Sequence, residues 1–130
     1  MNVAEHDRGP GFQYSIGFQR TFDHPEVVIF GQRAEVMHGM LTAIADELRA
    51  GRRYDDGRPV SDLLDGYVCL FRPVPPARVP DFFGRALRYY GHEPFAALQC
   101  IWPDLSGHYP WDPAASVELR WYQPVLDPGA

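Results

Sequence analysis

Three short apolar runs, "EVVIFG" (Glu26 to Gly31), "GYVCLFRPV" (Gly66 to Val74) and "AALQCIW" (Ala96 to Trp102), set the terms on which this chain folds. Each is too short for a core-spanning helix and is bounded by turn-forming residues, so each reads as a strand. The segment "GFQYSIGFQ" (Gly11 to Gln19) reads as another: Phe12, Tyr14, Ile16 and Phe18 alternate with Gln13, Ser15, Gly17 and Gln19. Gly17 inside it suggests a bulge or a close backbone approach. The turn "TFDHPE" joins this strand to the next as an antiparallel hairpin, because the residue before Pro25 is biased away from the helical region. "SVELRWYQP" (Ser116 to Pro124) alternates Val117, Leu119 and Trp121 with Glu118, Arg120 and Tyr122, and completes a predicted set of five strands.

Two stretches carry a helical period. From Arg33 to Ala50 the apolar residues Val36, Met37, Met40, Leu41, Ile44, Ala45 and Leu48 form a stripe wide enough to cover a sheet, and Gly51 is the natural stop. A second helix is expected from about Pro80 to Tyr90, with Pro80 in its first turn and Phe82, Phe83, Ala86, Leu87 and Tyr90 on its buried side. Between these elements lie a polar connector, "RRYDDGRPVSD", and a stiff one, "PVPPARVP", whose prolines lack the N–H that a ladder or helix interior needs. The order predicts an α+β fold: a mainly antiparallel sheet of about five strands with two helices packed on one face, in a single domain spanning residues 1–130.

Composition narrows the function classes. The net charge is −5, which leaves no electrostatic footprint for nucleic acid. All 12 basic residues are arginine, so no lysine side chain is present for Schiff-base chemistry or a P-loop. Met1 to Pro10 has no apolar segment of signal-peptide type, and no run approaches the roughly 20 apolar residues of a membrane span. A cytoplasmic protein with no membrane partner is expected. Cys69 and Cys100 sit inside apolar runs and read as reduced, buried thiols.

The histidines, His6, His24, His38, His92 and His108, show no metal-ligand spacing, and neither a metal nor a cofactor is expected. No G-x-S-x-G elbow surrounds Ser15 or Ser106. What remains is acid–base or hydrogen-bond chemistry in two places, the first turn and the crowded loop "QCIWPDLSGHYPWDP" (Gln99 to Pro113). His24, Glu26 and Asp104 are the candidate catalytic groups, since a carboxylate or imidazole against an apolar wall has its pKa moved toward neutrality. Tyr14, Ser15, Gln99, Trp102, His108 and Trp111 are the candidate binding residues. The structural alternative has equal weight: Pro103, Pro110 and Pro113 stiffen the loop, Asp104 and Asp112 make Asx turns, and the tryptophans cap the core.

"YSIGFQRTFDHPEVVIFG", the loop "QCIWPDLSGHYPWDP" and the closing "QPVL" together resemble the bacterial family known as domain of unknown function 4262. The matching positions are Tyr14, Ser15, Ile16, Gly17, His24, Pro25, Glu26, Gln99, Trp102, Pro103, Asp104, Gly107, Pro110, Trp111, Gln123 and Pro124. Phe18 stands where the family usually has leucine, and the resemblance implies an N-terminal first strand that this chain lacks or abbreviates. It also implies that the hairpin and the late loop carry the functional residues and meet if their strands are neighbours. The leading expectation is therefore a cofactor-independent small-molecule pocket protein, with acid–base catalysis as its enzymatic form. The alternative is a protein-interaction factor, immunity or accessory, of a bacterial gene cluster, with Arg20, Arg120 and Tyr122 as contact residues.

Overall fold

A computed structural model describes residues 11–127, so the expectation of a shortened N-terminal segment lies outside the described residues. The chain runs β1 (Phe12–Tyr14), α1 (Phe18–Phe22), β2 (Glu26–Phe30), α2 (Ala34–Arg49), β3 (Val60–Leu64), β4 (Tyr67–Pro73), a 3-10 turn (Pro76–Arg78), α3 (Val79–Phe82), α4 (Gly84–Tyr89), β5 (Ala97–Ile101) and α5 (Val117–Tyr122). The fold is α+β, with a five-stranded sheet in the order β1-β2-β5-β4-β3.

The sheet is mixed, which corrects the mainly antiparallel expectation at its centre. β1 pairs antiparallel with β2, and β4 pairs antiparallel with both β3 and β5, but β5 runs parallel to β2 with Glu26 beside Ala97 and Ile29 beside Cys100. Every residue of β2 and of β5 is buried, as expected of strands covered on both faces. Val27, Ile29, Leu98 and Cys100 face a core built with Met37, Met40, Leu41, Ile44 and Leu48 of α2. Val28, Phe30 and Ala97 face the opposite way, into a second core with Phe12, Tyr14, Val79, Phe83, Ala86 and Leu126. Helices therefore cover both faces of the sheet, not one. Each fully buried aliphatic side chain in these cores stabilises the fold by roughly 1.5–3 kcal/mol.

Three elements differ from their sequence expectation, each for a local reason. Only Phe12–Tyr14 of the first alternating run is strand; the chain turns at Gly17, at φ 114°, into α1. The second helix is split at Phe83, whose φ of −116° and ψ of 36° interrupt the helical path between α3 and α4. The segment read as a fifth strand is α5, started by Ser116, whose Oγ accepts the Leu119 N–H at 3.1 Å. Of its alternating apolar residues only Leu119 is buried, while Val117 and Trp121 are exposed. The fifth strand is instead β3, cut from the polar connector and paired along β4 at the sheet edge.

Candidate functional site

Glu26 opens β2 and is wholly buried, at 0 % exposure. A buried carboxylate must be hydrogen-bonded, and this one is saturated. It accepts the Ser15 hydroxyl at 2.7 Å and the backbone N–H groups of Gly17, Phe18 and Gln19 at 3.1 Å each. These are the orphan donors at the start of α1, so the carboxylate stands where an N-cap would. The Tyr90 hydroxyl closes the other side as a further donor. Burial, and then the bond to Glu26, raise the Tyr90 pKa. Ser15 also accepts the Val27 N–H at 2.9 Å, which ties the network to β2.

His24, 1 % exposed, is equally occupied. Its Nδ1 lies 2.8 Å from the Pro25 carbonyl and its Nε2 accepts the Tyr54 N–H at 3.1 Å, which fixes the Nδ1-protonated neutral tautomer. Burial lowers its pKa below the ordinary 6.5. Tyr14 accepts the Arg85 N–H at 3.0 Å and packs on Phe83. These groups hold α1, α4 and the chain before β3 onto the sheet.

The late loop begins where β5 ends. The Trp102 indole N–H donates to the Phe30 carbonyl at 2.7 Å, and its backbone N–H and C=O are both met by the Gln123 side-chain amide, at 2.8 and 2.7 Å. Gln99 uses the same device one turn of pleat earlier, donating to the Pro124 carbonyl at 2.7 Å and accepting the Leu126 N–H at 3.0 Å. Two glutamine amides thus stitch the C-terminal segment to β5. Gly31, at φ 85°, is required here: a Cβ would lie 2.6 Å from the Tyr122 carbonyl oxygen and 3.0 Å from the Trp102 ring.

Asp104 makes the expected Asx-type turn, accepting the N–H groups of Ser106 and His108 at 2.9 Å each. The His108 bond, reinforced by that of Ser106, holds its carboxyl below the usual carboxylate range. The His108 Nδ1 lies 3.5 Å from its other oxygen. Asp112 accepts the Tyr109 N–H at 2.8 Å, and Trp111 stacks on Tyr109 with the Arg72 guanidinium 5.3 Å from the Trp111 ring centre. Arg120 reaches back from α5 to the carbonyls of Pro110, Asp112 and Pro113 and clamps the loop.

The two motif regions do not share a concavity. Had β5 run antiparallel to β2, the loop after β5 would have met the turn before β2; running parallel, it emerges at the other end, beside Phe30 and Gly31. His24 and Glu26 are therefore separated from Asp104 by the length of the strand pair. No three His, Cys, Asp or Glu side chains among the described residues are grouped to hold a metal ion.

What the late loop does form is a groove of about 430 Å³, lined by Tyr67, Trp102, Asp104, Leu105, Ser106, Ser116, Leu119 and Tyr122. Trp102 and Asp104 were legible candidates, and Tyr122 was legible as a contact residue of the protein-interaction alternative; Tyr67, Leu105 and Leu119 were not assigned to a site. The one available signal was Leu105, an apolar residue inside the turn "PDLSG", which is 90 % exposed. Three aromatic walls, a buried leucine floor and a charged carboxylate suit the arrangement to holding a small ligand.

No helix among the described residues is long and apolar enough to cross a membrane. No curated protein and no solved structure matches the chain. The family model described as Domain of unknown function (DUF4262) matches residues 1–116, and the chain belongs to that family.

Proposed function

We propose that this is a cytoplasmic small-molecule binding protein whose site is the groove beside Trp102 and Asp104. The observation that carries the reading is the chemistry of the lining: Tyr67, Trp102, Leu119 and Tyr122 offer apolar wall, while Asp104, Ser106 and Ser116 offer a few polar points. Its volume of about 430 Å³ falls in the range of ligand sites. Asp104 is charged at neutral pH, and tyrosine and tryptophan faces attract cations. The fitting ligand is a small molecule that joins an apolar body to an amine or other N–H donor. The acid–base form of this reading has less support, because the hydrogen-bonding atoms of His24 and Glu26 are already engaged in the interior. Cys69 and Cys100, free thiols side by side in the core, agree with a reducing compartment.

A titration of isotope-labelled protein with a panel of aromatic amines tests it. Saturable shifts of the Trp102 indole and Leu105 methyl resonances are expected, reduced by Tyr122→Ala; a panel that leaves these resonances unmoved overturns the proposal. One observation favours a second reading: Leu105 on the groove rim and Val117 and Trp121 on the outer side of α5 are 90 %, 74 % and 55 % exposed. Exposed large apolar side chains also suit a protein partner, as an immunity or accessory factor would have. A stoichiometric partner released by Leu105→Asp would establish that reading instead.

A further inference from the structure

The arginines of this chain are almost all engaged. Arg33, Arg49, Arg52, Arg58, Arg72 and Arg78 each pair with a carboxylate. Arg53 and Arg120 donate to backbone carbonyls. Arg20 lies on the Tyr89 and Tyr90 rings, at 4.5 and 5.4 Å from their centres. Among the described residues only the guanidiniums of Arg85 and Arg88 have no such partner, and both line the same cavity, about 480 Å³, with Ile16 and Tyr89. Among the described residues no carboxylate lies within ion-pair distance of either guanidinium, so the two cations share one wall without an acidic neighbour there.

Their placement follows from the fold. Arg85 and Arg88 are three residues apart on α4 and so point to the same side. Ile16 belongs to the connection that turns at Gly17 into α1, and Arg20 extends the positive field across the Tyr89 ring. A second depression, holding Arg49 and Thr21, shares Ile16 and Tyr89 with the first. The backbone N–H groups of Gly17, Phe18 and Gln19 point away from this cavity to Glu26, so an anion here depends on the side-chain guanidiniums. Planar guanidinium forks match the oxygens of a phosphate in bidentate fashion, and a dianionic phosphate balances two of them.

We propose that this cavity is a second binding site, distinct from the Trp102 groove, that takes a soluble phosphate-bearing small molecule with its phosphate on Arg85 and Arg88 and its organic part against Tyr89 and Ile16. The experiment is a titration of the labelled full chain with inorganic phosphate, phenyl phosphate and benzoate, reading the arginine Nε–Hε and Tyr89 resonances. Saturable shifts at Arg85 and Arg88 are expected with both phosphates, tighter for phenyl phosphate than for inorganic phosphate. The double variant R85Q/R88Q should weaken phenyl phosphate about tenfold, the loss of one charge-assisted contact or more. R33Q, which alters an exposed arginine paired with Glu35, should leave it unchanged. Absence of saturable shifts, or equal affinity in the double variant, overturns the site. Benzoate binding as tightly as phenyl phosphate overturns the phosphate assignment. Sedimentation with phosphatidic acid vesicles, without binding of either soluble phosphate, overturns the soluble ligand in favour of a lipid headgroup.

Discussion

The two ends of the parallel pair β2 and β5 treat the same kinds of residue in opposite ways. At the start of β2, a glutamate, a histidine, a serine and a tyrosine turn inward, and each polar atom meets a partner inside the fold. Beyond the end of β5, aspartate, histidine, tyrosine and tryptophan shape a loop that leaves Trp102 and Asp104 on a groove open to solvent. A motif rich in titratable residues is thus no guide to chemistry by itself. What separates the two ends is exposure: Glu26 and His24 are buried, whereas Asp104, itself hydrogen-bonded, stays partly open to solvent.

The contrast makes Glu26 the position of largest expected effect. Glu26→Ala leaves a serine, three backbone N–H groups and a tyrosine without their acceptor; at about 1–3 kcal/mol for each donor that stays buried and unsatisfied, it should cost several kcal/mol in denaturant unfolding. Glu26→Gln should recover only part of this, because its amide NH2 would face donors. Near-native stability in Glu26→Ala would erase the distinction between the two ends.

Gly31→Ala comes next. The left-handed backbone alone costs about 1–3 kcal/mol for a side-chain-bearing residue, and the new methyl must also displace the Tyr122 carbonyl. Because Tyr122 and Trp102 both line the groove, this variant should lower stability and alter the Trp102 fluorescence together.

His24 sets a smaller, pH-dependent effect. Its folded pKa is depressed, so below the ordinary value of 6.5 the unfolded chain takes up a proton that the folded chain resists. The stabilisation is full above pH 6.5 and is lost as pH falls through the folded pKa, at up to about 1.4 kcal/mol per pH unit. His24→Gln should be less stable at pH 7 but flatter between pH 7 and 5; an unchanged slope would place the titration elsewhere. At the groove end, Leu105→Asp and Tyr122→Ala should shift stability by no more than about 0.5 kcal/mol while reducing ligand shifts. A large loss of stability in either would show that the groove is itself a fastening.

Strand and helix identity was legible where the period was unambiguous, as in α2 and in the runs that became β2, β4 and β5. Strand direction was not, because Val27 to Phe30 reads the same whether its neighbour is parallel or antiparallel, and that one choice decides whether the two motifs meet. α5 was misread because six residues with a single buried leucine satisfy both periods. Trp102 and Asp104 were legible as candidates and line the groove, whereas Tyr67 and Tyr122 come from distant parts of the chain and are brought to them only by the sheet order and the glutamine stitches. Arg85 and Arg88 looked like ordinary surface residues of a helix; only the partners of every other described arginine make them stand out.

Those stitches have a consequence for how the molecule is made. Gln99 waits for Pro124 and Leu126, and Trp102 for Gln123, so the groove has no second wall until the segment through Leu126 has been made. The interior fastenings at Glu26 and His24 use residues no later than Tyr90. Synthesis in chain order therefore supplies these fastenings before it supplies the groove, and a chain cut before Gln123 would lack both the groove's second wall and the Leu126 part of the second core.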